Sequence, residues 1–227
     1  NPFRTDALQS IDQRAGTGHH RRAAAVGHCA LMKALLRLAV GLLRPASGWV
    51  RIDGRPVGGP DRAAGFEQIA YLPQDPDVLL LADTVAQELD LTLRARGRPP
   101  LDGNRHPCLD RLGLAGMELA HPRDISTGER LRVSLAAVTV AGAGLLVLDE
   151  PTRGLDADSA RALGELLRGY AADGAGVLVA THDRRILACA DRILLLERGR
   201  IHERPPQREP RPRRALRSSS VPGPSRN

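Results

Sequence analysis

The strongest constraint on this chain is the run Leu145-Leu146-Val147-Leu148-Asp149-Glu150. Four apolar residues without a polar interruption read as a strand buried on both faces, as in the parallel sheet of an α/β protein. Such a strand should end in water or a turn, and this one ends in two adjacent carboxylates. Successive strand residues point to opposite faces, so Asp149 and Glu150 are expected to take different tasks. One can hold a metal through water while the other faces a reacting water, the division of labour that nucleotide hydrolysis needs. Acidic residues are also common where strands end. The pair alone therefore describes a core strand running into an acidic turn equally well.

At 227 residues the chain can form one well-cored domain with a small subdomain. Aromatics make up only 2%, so the core must come from Leu, Val, Ala and Ile. No apolar run reaches the roughly 18 to 20 residues that cross a bilayer. Ala30 to Leu43 comes nearest, but it is too short and carries Lys33 and Arg37. No signal peptide is visible and the first residue is Asn, so a fragment is expected. Cys29, Cys108 and Cys189 are odd in number and stand in no metal spacing, which points to a reduced, cytoplasmic protein. The net charge is +7, and nine arginines against two glutamates give +7 for Arg198 to Asn227 alone. The remainder is neutral, so the charge describes a basic tail and not a nucleic-acid-binding face of the fold.

The chain divides into a flexible start (1–22), a folded domain (23–203) and a basic disordered tail (204–227). Ala23 to Leu43 is Ala- and Leu-rich, and Trp49 to Gly54 reads as a half-buried strand entering a hairpin at Asp53-Gly54. Ile69 to Leu72 is a short strand stopped by Pro73 and Pro76, leaving Gln74 exposed where ligand loops sit in an open α/β sheet. A helical insertion, about 76–135, holds helices at Thr84–Arg94 and Leu109–Leu119, the second broken by Gly113 and Gly116. Ser126-Thr127-Gly128 then opens a helix whose N-terminal N–H groups suit an anion. The same residues also read as a plain N-cap, with Glu129 as capping-box partner. A helix over Ala157–Ala172, a buried strand over Val177–Ala180 ending in Thr181-His182-Asp183, and a closing hairpin around Arg198-Gly199 complete the domain.

From Ala39 to His202 the order and spacing of these features resemble the nucleotide-binding domain of ATP-binding-cassette (ABC) proteins. Leu145 to Glu150 is similar to the Walker B strand, Gly154-Leu155-Asp156 to the D-loop, and Ile125 to Glu129 to the signature motif. Gln74 falls at the Q-loop and His182 at the switch histidine. Pro73-Gln74-Asp75-Pro76, Ala82-Asp83-Thr84-Val85, His121-Pro122-Arg123-Asp124 and Pro151-Thr152-Arg153-Gly154 resemble the energy-coupling-factor import ATPases for cobalt and vitamins. The resemblance implies a P-loop NTPase-like, mostly parallel sheet flanked by helices, with ATP and Mg²⁺ as ligands. It implies Glu150 as general base, Asp149 holding Mg²⁺ through water, Gln74 sensing metal and γ-phosphate, and His182 on the γ-phosphate. Ser126, Thr127, Gly128 and Glu129, with Asp156 in the D-loop, would serve the ATP of a second ABC ATPase domain in a head-to-tail dimer. Thr127 stands where the family usually has a second signature glycine.

The phosphate loop departs most. G-x-x-x-x-G-K-[S/T] is answered by Gly27 to Ala34, with Gly27 and Lys33 correctly spaced. Lys33 is the only lysine in the chain. Met32 stands where glycine lets the backbone wrap phosphate, and Ala34 lacks the hydroxyl that ligates Mg²⁺. Ala30 to Leu38 is rich in helix formers, so the segment can also continue as helix and form no anion nest. Aligning Leu35-Leu36 with the family instead moves Lys33 into the serine slot. The first strands and the adenine-stacking aromatic are not recognisable in residues 1–22, as though truncated.

Three functions remain open. The first is an ATPase subunit driving a vitamin or metal importer, peripheral on the inner face of the cell membrane and docked to a transmembrane coupling subunit through the Gln74-to-Arg123 insertion. The second is a degenerate subunit whose signature completes a partner's ATP site. The third is a non-transport member acting on nucleic acid through its Arg-rich tail.

Overall fold

The computed structural model describes residues 22–27, 29–57, 69–100 and 107–204. The expected flexible start (but for Arg22) and the basic tail (but for Arg204) lie outside the described residues.

Strand β1 (Arg22–Gly27) leads into helix α1 (Cys29–Ala39). Two two-residue strands, β2 (Arg51–Ile52) and β3 (Arg55–Pro56), form a small antiparallel hairpin. Strand β4 (Ile69–Leu72) is followed by a 3-10 turn (Pro76–Leu79), helix α2 (Val85–Ala95) and helix α3 (Pro107–Arg111). Helix α4 (Thr127–Thr139), strand β5 (Leu145–Asp149), helix α5 (Ala157–Ala172) and strand β6 (Gly176–Ala180) come next. The short helix α6 (Arg184–Leu187) and the hairpin β7 (Arg192–Glu197) and β8 (Arg200–Arg204) close the described chain. The main sheet runs β4-β5-β6-β1-β7-β8, parallel except for the β7–β8 pair. The fold is therefore α/β, with a mostly parallel sheet between helices.

Strand alternation divides the core into two layers. Leu146 and Leu148 of β5 face one side, packing with Leu72, Leu89, Leu135 and Leu163 from β4, α2, α4 and α5. Val147 faces the other side, where Met32 and Leu36 of α1 and Val40 just past its end pack with Ile69, Ala180 and Leu194. The spacing Met32, Leu36, Val40 is one helical stripe, and all three are at most 4% exposed. Asp149 lies two residues beyond Val147, so the pleat turns it toward α1.

Several sequence expectations need correction. β1 was not anticipated, because Arg22-Ala23-Ala24-Ala25-Val26-Gly27 has little β-propensity and is strand only through pairing with β6 and β7. The expected half-buried strand at Trp49 is two residues long, and Trp49 is exposed and stacked beneath Arg51. Asp53 (φ 48°) and Gly54 (φ 75°) do turn this hairpin. The expected helix Leu109–Leu119 stops at Arg111, because Gly113 (φ 66°) and Gly116 (φ 81°) are left-handed. By contrast α5 has the expected bounds, with Gly174 (φ 106°) just past its end. Among the described residues no helix is long and apolar enough to cross a membrane.

Leu148 of β5 is fully buried between β4, β6 and the helices. Leu148→Ala should cost about 3 kcal/mol in urea unfolding, whereas Leu119→Ala, 69% exposed, should stay within about 0.5 kcal/mol.

Candidate functional site

All five parallel strands end on one crest of the sheet, the edge at which open α/β folds bind ligands. Asp149 pairs with Ala180, so the ends of β5 and β6 are level. The chain leaves β5 sharply. Glu150 has φ 48°, rare for a side chain of its size, while its N–H donates to the Ala180 carbonyl at 2.8 Å. The two carboxylates do diverge as expected, but this backbone turn and not the pleat alone separates them. Asp149 is buried, while the Glu150 side chain is 23% exposed and reaches toward His182, with Oε1 3.6 Å from Nε2. That is an ion-pair distance for a protonated imidazole and longer than a hydrogen bond.

Burial pushes the Asp149 carboxyl up, Glu150 adds to the rise, and Lys33 and Arg37 pull against it. Lys33 and Arg37 are four residues apart on α1, so they stand one turn above the other on the flank facing Asp149. Burial also pushes the Tyr71 hydroxyl of β4 up, with Asp149 adding to the rise and Arg37 opposing it. Sequence reading singled out Lys33 as a phosphate ligand. In this structure its charge also bears on the carboxylate at the end of β5.

Gly27 ends β1, and α1 already begins at Cys29, with residue 28 between them outside the described set. The residues that would form the interior of a phosphate loop, Cys29 to Met32, are therefore the first turn of a helix. Of the two possibilities left by the sequence, continued helix is the one realised. Met32 cannot swing out to make room, because it is part of the core stripe.

Gln74 and Glu150 line one cleft together with Asp77, Thr127, Arg153 and Leu155. Ser126 caps α4 in a full capping box. Its N–H donates to Glu129 Oε2 at 2.8 Å, its hydroxyl to the same oxygen at 2.6 Å, and the Glu129 N–H returns to Ser126 Oγ at 3.3 Å. These bonds hold the Glu129 carboxyl below its ordinary range. Gly128 packs near α5, where an added Cβ would meet Ser159 Oγ at an ordinary 3.5 Å. Asp156 caps α5 by accepting from the Ser159 N–H at 2.7 Å, and this lowers its carboxyl too. Beside His182, the Asp183 carboxyl is held low by Arg185, whose Nη2 donates to Oδ2 at 2.7 Å. Among the described residues no group of three or more His, Cys, Asp or Glu could hold a metal ion.

Sequence reading missed Arg37, Tyr71, Asp77 and Arg130. Arg37 was legible as one turn beyond Lys33. Tyr71 comes to the site only through the pairing of β4 with β5, and Asp77 and Arg130 meet across more than fifty residues of chain, with Arg130 Nε 3.2 Å from Asp77 Oδ1.

A raised Asp149 carboxyl means that the folded state binds its proton more tightly than the unfolded chain. Stability should therefore fall as pH rises from the ordinary aspartate range through the raised folded value. Asp149→Asn should stabilise the chain to urea at neutral pH, with the gain disappearing below the ordinary aspartate range.

A family model described as ABC transporter matches residues 33–153. An ABC transporter ATP-binding protein of Streptomyces avermitilis is 38% identical over 203 residues, 87% of this chain and 35% of that protein. The energy-coupling factor transporter ATP-binding protein EcfA2 of Methanospirillum hungatei is 33% identical, over 88% of this chain and 51% of that protein. The chain thus spans about a third to a half of the length of these relatives. Among solved structures, cbiO1 of Clostridium perfringens, part of the ABC transporter complex cbiONQ, superposes with a TM-score of 0.73 at 25% identity. That likeness covers 82% of this chain and 78% of the other. The family model takes in the carboxylate pair, the Gln74 loop and the capped helix α4, and the relatives extend the likeness through His182. The chain belongs to the ABC transporter family.

Proposed function

We propose that this domain energises an importer of the energy-coupling-factor type, for vitamin or metal uptake. In that role it works as one half of a head-to-tail pair of cassettes and contributes its signature face to the ATP held by the other half. The name carried by the Methanospirillum hungatei relative supports the importer class. Exposed Val78, Leu81 and Leu119, set around the start of α2, support docking of a transmembrane coupling subunit on the helical insertion. The domain would then lie peripherally on the inner face of the membrane.

The observation that carries the division of labour is α1. A phosphate loop needs several backbone N–H groups curled around an anion, and Cys29 to Met32 are committed to helix. Lys33 faces Asp149 and Met32 is core. The residues present therefore do not fit the phosphates of a nucleotide in this chain's own half, nor do Lys33 and Arg37 beside Asp149 favour Mg²⁺ there. The signature face is intact in the features that matter for a partner's phosphates: Ser126 as cap, Gly128 without a side chain, and an N-terminal turn whose N–H groups lack intrahelical acceptors.

A second reading is favoured by the crest itself. Glu150 lies 3.6 Å from His182 and shares a cleft with Gln74, which supports a half-site with Glu150 as general base, His182 and Gln74 for the γ-phosphate, and Asp149 for Mg²⁺. On that reading this chain hydrolyses its own ATP once the α1 turn rearranges. The nucleic-acid alternative rests on the tail, which lies outside the described residues.

One pair of variants separates the two readings in the complex purified from the native host through a tag on this chain. Gly128→Glu, tolerated near Ser159 yet adding an anion where phosphate would bind, should cut MgATP turnover about 100-fold, with Glu150→Gln changing it by less than about two-fold. A Glu150→Gln loss of about 100-fold or more with Gly128→Glu neutral would establish own-site hydrolysis instead.

A further inference from the structure

Arg130 carries no role in the reading above, yet each nitrogen of its guanidinium is committed to a different partner. Nε donates to Asp77 Oδ1 at 3.2 Å, Nη1 to the Ile125 carbonyl at 2.8 Å, and Nη2 to Thr127 Oγ1 at 3.2 Å. These partners are the 3-10 turn that follows Gln74, the residue before the α4 cap, and the first residue of α4. A guanidinium is planar and rigid, so one side chain fixes all three positions relative to each other. A second bond between the same elements, Ser134 Oγ to the Pro76 carbonyl at 3.2 Å, runs one turn further along α4.

Thr127 is where such a clamp has work to do. A threonine in the first helical turn brings a methyl and a hydroxyl to a surface that glycine would leave bare. Its branched side chain has few rotamers, and a bond from a residue one turn on selects among them. Ser126 Oγ is held in the same manner by Glu129. Both hydroxyls at the start of α4 are thus tied to residues one turn inward, along the helix and not across its open end.

We propose that Arg130 is a positioning residue of the signature face. It holds the Thr127 side chain to the flank of α4, so that the backbone of Thr127 and Gly128 stays accessible to a partner cassette's phosphates. Through Asp77 it makes that face move with the segment after Gln74. The functional part of this inference rests on the reading that the face closes over a partner's nucleotide. Stability gives little reason for the clamp, because Asp77 is 55% exposed and ion pairs at that exposure are weak.

Two measurements test it. In the tagged native complex, Arg130→Ala should lower kcat for MgATP at least about ten-fold, and the Thr127→Gly complex supplies the reference rate against which loss of the arginine is read a second time. The double variant should recover to within about three-fold of Thr127→Gly, because no side chain is left to hold aside. A double variant as slow as Arg130→Ala would overturn the proposal, since a purely structural arginine is not rescued by shortening its neighbour. In the purified chain with ¹³C-methyl threonine, Arg130→Ala should shift the Thr127 methyl resonance while leaving the melting temperature within a few degrees. An unmoved Thr127 resonance would overturn the clamp whatever the complex does. If turnover of the complex is indifferent to Gly128→Glu, the signature reading itself fails, and the methyl resonance alone then decides whether Arg130 holds Thr127.

Discussion

The packing of one helical stripe on one strand governs the rest of this structure. Met32, Leu36 and Val40 bury themselves against Val147 and its neighbours, and that contact fixes where α1 lies and how early it starts. Burying three such side chains is worth several kcal/mol at roughly 25 cal/mol per Å² of apolar surface. A loop that unwound Cys29 to Met32 would have to withdraw Met32 from that layer. Helix propensity across Ala30 to Leu38 pulls the same way. Core packing and anion binding compete for one stretch of backbone, and packing holds it.

The crest beyond β5 and β6 is shaped by the same strands without being spoiled by that competition. The pleat that sends Val147 to α1 sends Asp149 there too, which is why Lys33 and Arg37 bear on its carboxyl. The alternation that turns Asp149 this way turns Glu150 the other way, and a backbone turn of positive φ, anchored by the Ala180 carbonyl, carries it further. On the far side of the cleft, α4 is held by caps and cross-links that do not involve α1 at all. The proposed signature role and the proposed loss of the chain's own phosphate site are thus physically independent, and one can survive without the other.

Much of this was legible in the residues. Four apolar residues before Asp149, the Ser126–Glu129 capping box and the Asp156-to-Gly174 span of α5 are local signals, and each names its element without tertiary help. β1 was not legible, since an alanine run becomes strand only between β6 and β7. Helix α3 is shorter than its pattern because two left-handed glycines outweigh periodicity. The site was legible as residue types, with Gln74, Glu150 and His182 in the expected order, but not as contacts. That the charge of Lys33 bears on a buried carboxylate, and that Arg130 reaches Asp77 from 53 residues away, are facts of packing.

Helix α1 stands where a phosphate loop would have to form, and on the proposed reading this chain lends its signature face to a partner without holding a nucleotide of its own. Equilibrium calorimetry of the purified chain with MgATP is the decisive measurement. No saturable binding is expected up to about 1 mM nucleotide, whereas a dissociation constant of about 10 µM or tighter, lost on Lys33→Ala, would overturn that reading.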